Sequence, residues 1–140
     1  GGASILVADA YYASRKVILP LLDQGHHLVT RVRSTTVAYR EAARPRTPGP
    51  GRPRFYGVKV RLRNVWGKKD RFTTAASPVY GETNVQLRYR ALDLLWRPVG
   101  RLVRFVFVDH PTRGRLILMT TDTSLEPLQV IALYGSMALR

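Results

Sequence analysis

Carboxylates are the side chains of this sequence best suited to chemistry, because the chain has only nine of them and contains no cysteine. Asp9 is the leading candidate, since it directly follows a short apolar run at residues 4–8 that is typical of a buried strand. Open α/β sheets place ligands and catalytic groups where their strands end. A turn or capping role explains the same position, and one carboxylate alone cannot hold two metal ions. The residues by themselves leave both roles open.

The other acidic residues and the three histidines indicate no second site. His26 and His27 are adjacent and have no partner at metal-ligand spacing, and His110 falls in a predicted turn. No nucleophile elbow and no phosphate-binding glycine loop is present in the sequence. We expect surface charges at Asp23, Glu41, Asp70, Glu82 and Asp93, turn or cap roles for Asp109 and Asp122, and a place in the first turn of a helix for Glu126.

Basic residues dominate the charge, with 23 Lys and Arg against 9 Asp and Glu, a net charge of +14 and a pI near 11.2. Residues 40–71 hold eleven of the basic residues and two acidic ones, and residues 44–54 are rich in Pro and Gly. This composition predicts a flexible cationic loop that binds a polyanion through its phosphates. The DNA-binding candidates are Arg44, Arg46, Arg52, Arg54, Lys59, Arg61 and Arg63.

A shorter motif lies inside this loop. Residues 50–54 read PGRPR and are similar to the core of a minor-groove AT-hook, although Pro50 stands where a basic residue usually precedes the glycine. A plain linker explains the same residues, so both interpretations stay open.

The apolar pattern predicts the elements that position these residues. A strand at residues 4–8, a helix from an N-cap at Ser14 to Gly25 with Pro20 inside it, and a strand at 27–33 form a βαβ unit with parallel strands. Pro20 predicts a kink or a late start of this helix. Extended segments follow at 57–63, 84–96, 101–108 and 115–121, the last two as a hairpin. Ser124 is the expected cap of a closing helix. The 45% of hydrophobic residues suffices for one core, and no apolar run is long enough to span a membrane.

Four segments of the chain resemble the DDE transposases of bacterial insertion sequences, in a consistent order. They are residues 7–13 (VADAYYA), 27–33 (HLVTRVR), 51–60 with GRPR and YGVKV, and 118–135 with LMTTD and LYG. The resemblance implies an α/β, RNase H-like fold fragment with a β-rich antiparallel insertion. It implies one partial catalytic domain over 1–140, with the βαβ part and Asp9 in 1–35, the basic loop and insertion in 36–121, and a truncated closing helix in 122–140.

The same resemblance implies a chemistry in which three carboxylates hold two Mg²⁺ or Mn²⁺ ions. Asp9 matches the second carboxylate, so it is the expected catalytic and metal-binding residue, while the first would lie on an earlier strand. The third belongs to a Tyr-x-x-Arg-x-x-x-Glu pattern on the last helix, of which Tyr134 matches the Tyr. Met137 stands at the Arg position, and Arg140 is the last residue before the Glu position.

We therefore expect a fragment of an enzyme that cuts and joins DNA, able to bind DNA ends but inactive alone. The resemblance implies a homo-oligomer for the full-length protein and a place in the bacterial cytoplasm, on the nucleoid. The alternative is a non-enzymatic basic protein that binds RNA, which explains the charge equally well but not Asp9 or the end of the last helix. An anionic-membrane protein is disfavoured, because the sequence has no basic amphipathic helix.

Overall fold

The computed structural model describes residues 4–8, 14–43, 49, 51 and 54–138. The candidates Asp9, Arg44, Arg46 and Arg52 lie outside the described residues. The strands are β1 (Ile5–Ala8), β2 (His27–Val32), β3 (Val37–Glu41), β4 (Tyr56–Arg61), β5 (Thr73–Ala76), β6 (Gln86–Trp96), β7 (Arg101–His110) and β8 (Gly114–Thr120). The helices are α1 (Arg15–Asp23) and α2 (Pro127–Ala138), and two 3₁₀ turns (Leu62–Gly67 and Lys69–Arg71) form what we call the 3₁₀ segment.

All eight strands belong to one mixed sheet in the order β1-β2-β8-β7-β6-β3-β4, with β5 also paired to β6. Only β1 and β2 are parallel; the other pairs are antiparallel. The predicted βαβ unit and the predicted hairpin of β7 and β8 are thus confirmed. The strands contributed by residues 36–121 continue the same sheet as β1 and β2, since β8 lies beside β2. The RNase H-like arrangement stays a prediction.

Apolar side chains cover both faces of this sheet. On the α1 face, α1 and the 3₁₀ segment pack through Ile18, Leu62 and Val65 onto a core that includes Phe105 and Phe107. On the opposite α2 face, helix α2 packs onto a second core, whose buried members are Val29, Val79, Leu87, Val106, Val108, Leu118, Val130 and Ile131. Alternation along β7 assigns neighbouring residues to opposite cores, as the period of two requires. The long strands β6 to β8 therefore form the centre of a three-layered fold.

Helix α1 ends as its sequence predicts. Gly25 follows the helix at φ +80°, a conformation that glycine adopts without strain. The His26 N–H donates to the Leu21 carbonyl at 2.8 Å and the Gly25 N–H donates to the Leu22 carbonyl at 2.9 Å, which is a Schellman ending. At the other end, Ser14 occupies the N-cap position but its side chain makes no capping hydrogen bond, and the helix runs through Pro20.

The start of α2 differs from the prediction. Ser124 does not cap this helix, because its hydroxyl and its backbone N–H both bond to Asp122 Oδ1 in a local turn. The helix begins at Pro127, whose ring suits a first helical position. Glu126 lies just before the helix rather than in its first turn, and its N–H donates to Gln129 Oε1 at 2.8 Å.

Two strands were not predicted, and a third is shorter than expected. β3 and β5 contain charged or small residues and owe their conformation to pairing with β4 and β6. β4 ends at Arg61, because Leu62 turns into the 3₁₀ segment and is buried beneath it. None of the described helices is long and apolar enough to cross a membrane.

Candidate nucleic-acid interface and strand end

The parallel pair of the sheet positions the predicted catalytic strand end. Ala8, the last residue of β1, is buried and pairs with Thr30 of β2, which pairs in turn with Met119 of β8. The next rung of the sheet beyond Ala8 joins Arg31 to Leu118. In the chain, Asp9 follows Ala8 directly. The predicted strand before Asp9 is thus confirmed, but its predicted burial on both faces is wrong, because β1 is at the edge of the sheet and Ile5 and Leu6 are exposed.

Tyr134 lies at this level of the sheet as well. It belongs to α2, is half-buried, and lines a groove on the α2 face together with Leu116 and Leu118. α2 also packs against β1 and β2. The helix that carries Tyr134 therefore packs directly against β1, the strand that leads to Asp9.

Four of the predicted DNA-binding residues can be placed, and all four are exposed: Arg54, Lys59, Arg61 and Arg63. Lys59 and Arg61 are two positions apart in β4, so their side chains lie on the same side of this strand, which is at the edge of the sheet. We call these four residues the β4 surface. It offers cationic groups to a polyanion without a competing carboxylate, since none of the four forms an ion pair within the described part of the chain.

Aromatic side chains adjoin the β4 surface. Tyr39 pairs with Lys59 across the strands, and the Arg97 guanidinium lies 4.8 Å from the Tyr39 ring centroid and 4.6 Å from that of Tyr56. Phe55 packs edge-on to Tyr56 and is 56% exposed. Gly57 is required here, because a Cβ at this position would lie 2.7 Å from the Glu41 carbonyl oxygen. The backbones of β3 and β4 are thus closely packed where these cationic and aromatic side chains lie.

A second basic group is not evident from the sequence. The charges of Arg71 in the 3₁₀ segment and of Arg40 on β3 both act on Arg90 of β6, and we call these three residues the arginine cluster. Burial, and then the charges of Arg71 and Arg40, lower the pKa of Arg90, against a smaller opposing effect of Asp70. An arginine this basic stays charged regardless. Like charges from distant parts of the chain therefore act on Arg90, since 50 positions separate Arg40 from it.

Other arginines of the same strands are paired with carboxylates. Asp109 accepts an ion pair from Arg88 at 3.3 Å and a longer one from Arg115 at 3.9 Å. On the α2 face, Arg104 donates to both oxygens of Asp93, at 2.8 and 2.9 Å, and to the Leu125 carbonyl at 2.6 Å. Asp93 is an exposed charge, as predicted, and it lies on β6. Asp109 was predicted in a turn but lies in β7.

Glu82 is also not the surface charge that was predicted. Its carboxylate accepts hydrogen bonds from the Ser77 hydroxyl and from His110 Nε2, the latter at 3.0 Å, and lies 3.4 Å from the Arg113 guanidinium. The Thr112 and Arg113 N–H groups donate to His110 Nδ1, so the ring proton belongs on Nε2. The Ser77 hydrogen bond, more than the contacts of His110 and Arg113, lowers the pKa of Glu82 despite its burial.

Metal ligands do not cluster in the part of the chain that the structure describes, where no group of three or more His, Cys, Asp or Glu residues could hold an ion. The described residues therefore do not by themselves make the two-ion site that the resemblance implies.

Comparison with known proteins supports one family. A model described as DDE superfamily endonuclease matches residues 2–97, about two thirds of the chain, including Asp9 and the whole basic segment. No curated protein matches the sequence, and no solved structure matches it. The match begins before β1 and ends just beyond β6, so it covers the βαβ unit and the β4 surface. The chain belongs to the DDE superfamily endonucleases.

Proposed function

We propose that this chain is the DNA-binding part of a transposase of the insertion-sequence type, an enzyme that cuts and joins DNA. The family match over residues 2–97 carries the proposal, because it spans Asp9 and the basic residues together. A non-enzymatic RNA-binding protein would need the charge but not this family. The exposed, unpaired cations of the β4 surface supply the means to hold a phosphate backbone.

Asp9 has the catalytic part in this proposal. Its carboxylate would hold divalent metal, Mg²⁺ or Mn²⁺, and such ions activate water or a DNA 3′-hydroxyl and stabilise the leaving oxygen. Among the described residues, no group of three or more His, Cys, Asp or Glu side chains could hold an ion. We therefore propose that these 140 residues bind DNA but do not cleave it unaided.

A nicking assay tests the catalytic half of the proposal. The purified chain is incubated with supercoiled plasmid and Mg²⁺ or Mn²⁺, beside an Asp9→Asn variant. We expect no nicked product from either protein. Metal-dependent nicking by the unmodified chain that Asp9→Asn abolishes would overturn the proposed inactivity, and would at the same time establish the role of Asp9.

The salt dependence of DNA binding tests the other half. Replacing Arg54, Arg61 and Arg63 with Gln should lower the slope of log K against log salt by about three, one for each phosphate that the variant no longer neutralises. A matched control replaces the exposed Arg15, Lys16 and Arg101, which also removes three charges. Equal slopes for the two triple variants would show that the net charge, and not the β4 surface, determines binding. Competition with duplex RNA of the same sequence separates the DNA-binding and RNA-binding proposals.

A further inference from the structure

An exposed aromatic ring lies directly before β4. Among the described residues, five large hydrophobic side chains are exposed, and two of them, Phe55 and Val58, lie at this strand. Phe55 is 56% exposed, and its ring meets that of Tyr56 edge-on, with centroids 4.9 Å apart and planes at 85°. A perpendicular contact leaves at least one face of the Phe55 ring uncovered by Tyr56. Phe55 belongs to neither hydrophobic core, so packing of the fold does not account for this ring.

Two further rings and an arginine continue from Phe55. The Tyr39 ring packs on the Tyr56 ring at 5.3 Å and 67°. Arg97, which directly follows β6, lies over both tyrosine rings at 4.8 and 4.6 Å. A guanidinium that stacks on rings keeps the N–H donors at its edge available. Arg97 is exposed and has no carboxylate within 4 Å among the described residues, so these donors can reach a phosphate. We call Phe55, Tyr56, Tyr39 and Arg97 the aromatic row.

The cations of the β4 surface adjoin the aromatic row. Lys59 pairs with Tyr39 across the strands, so the two side chains lie on the same face of the sheet, and Arg61 shares this side of β4. Glu41 is the one acidic residue of β3 and β4, which together carry three basic ones. The surface is therefore both positive and aromatic, and it lies on the last strand in the order of the described sheet.

We propose that the aromatic row and the β4 surface together bind unpaired nucleotides of DNA, with a base stacked on Phe55. Every base has a flat face that stacks on an aromatic ring, while neighbouring cations hold the phosphates. Duplex DNA offers phosphates to the cations but no free base face except at its ends, because its bases stack on one another. The choice of DNA rests on the proposed function, whereas stacking of a base on Phe55 does not.

Two single-stranded oligonucleotides of equal length and charge test the stacking. One consists of about twelve thymidines, and the other has abasic residues in their place, so both offer the same phosphates. Fluorescence anisotropy of an end label measures their binding at one salt concentration. We expect Phe55→Ala to weaken binding of the thymidine strand about tenfold and to leave binding of the abasic strand unchanged.

Three further variants serve as controls. Phe55→Trp keeps a ring and should keep the affinity for the thymidine strand. Tyr80→Ala removes a ring that is 94% exposed elsewhere, after β5, and should change the binding of neither strand. Arg97→Gln removes a charge and should weaken both strands by the same factor. Equal losses of the two strands in Phe55→Ala, or no loss in either, would overturn the stacking site.

A blunt duplex and a uridine strand separate this inference from the proposed function. Binding of the duplex, with no effect of Phe55→Ala on the thymidine strand, would overturn the inference and leave the proposed function standing. A chain that binds neither the duplex nor the thymidine strand would refute both. A uridine strand that binds more than about tenfold tighter than the thymidine strand, with the same loss in Phe55→Ala, would assign the stacking to RNA and overturn the choice of DNA.

Discussion

Arg90 and Arg104 lie on neighbouring strands at the centre of one sheet and are both half-buried, yet their surroundings are opposite. On the α2 face, Arg104 is held by both oxygens of Asp93 and by a backbone carbonyl, and the Asp93 hydrogen bond raises its pKa. On the α1 face, burial and then the charges of Arg71 and Arg40 lower the pKa of Arg90. The paired arginine stabilises the fold. Arg90 has no carboxylate within 4 Å among the described residues. Buried charge is a useful guide to function when its partner is missing.

The largest expected effect on stability concerns Trp66 of the 3₁₀ segment. Trp66→Ala removes the ring that contacts Phe72, Phe107 and Arg115, and should lower the free energy of unfolding by about 2–3 kcal/mol, below the value for a fully buried Trp. Urea unfolding measures this effect. Tyr80→Ala is the control, since Tyr80 is 94% exposed and its removal should change stability by less than about 0.5 kcal/mol.

Arg104→Gln tests the paired side of the comparison. It breaks the two hydrogen bonds to Asp93 and the one to Leu125, which ties β7 to the approach to α2. We expect the free energy of unfolding to fall by about 1–2 kcal/mol, discounted because Asp93 is 38% exposed. Arg101→Gln makes the same charge change on the same strand and should cost under about 0.5 kcal/mol. A similar decrease in both variants would mean that the pair contributes no specific stability.

Glu82 makes the α2 face sensitive to acid. Because its pKa is lower in the folded chain than the ordinary value of 4.5, its contribution to stability is complete above that value and is lost as the pH falls through the folded pKa. Unfolding free energies measured between neutral pH and the acid range should fall less steeply for Glu82→Gln than for the unmodified chain. The variant itself should be less stable by about 1 kcal/mol near neutrality, since His110 and Ser77 keep only a neutral partner. Parallel pH profiles would contradict this role.

The smallest effect is expected at Arg90 itself. Arg90→Gln removes a half-buried charge that has no carboxylate within 4 Å among the described residues, so it should leave the free energy of unfolding unchanged or raise it by up to about 0.5 kcal/mol. Unfolding in low-salt chloride buffer detects the change most sensitively, because salt screens like charges. A decrease above about 1 kcal/mol would show that Arg90 stabilises the fold as Arg104 does.

The sequence predicts the strands whose pattern is set locally. Leu87, Tyr89 and Ala91 alternate along β6 and pack on one core, and the turn residues after Asp109 correctly indicate a hairpin. β3 and β5 escape prediction, because their residues are extended only through partners elsewhere in the chain. The family was recognisable from short motifs, and the family match confirms it.

Side-chain partnerships were the least predictable part. Glu82 and His110 are 28 positions apart, and Asp93 and Arg104 are 11 apart, spacings that carry no signal in a chain with so many arginines. Arg40 lies on β3, Arg71 lies in the 3₁₀ segment and Arg90 lies on β6. The sequence pattern predicts neither β3 nor the 3₁₀ segment. The excess of positive charge indicated a polyanion partner. It could not indicate which cations would lack a carboxylate.

The pairing of β2 with β8 has a consequence for how the chain folds during synthesis. The Leu28 N–H donates to the Thr121 hydroxyl, which lies 93 positions later in the chain. At roughly 5–20 residues per second, β2 is translated about 5–20 s before β8, its second neighbouring strand. The hairpins of β3 with β4 and of β6 to β8 need no such delay, since their partners are close in sequence. Strand β2 is therefore synthesised before these hairpins but completed after them, and its other neighbour, the uncharged edge strand β1 with Ile5 and Leu6 exposed, is a site where a chaperone or a misfolding contact would act.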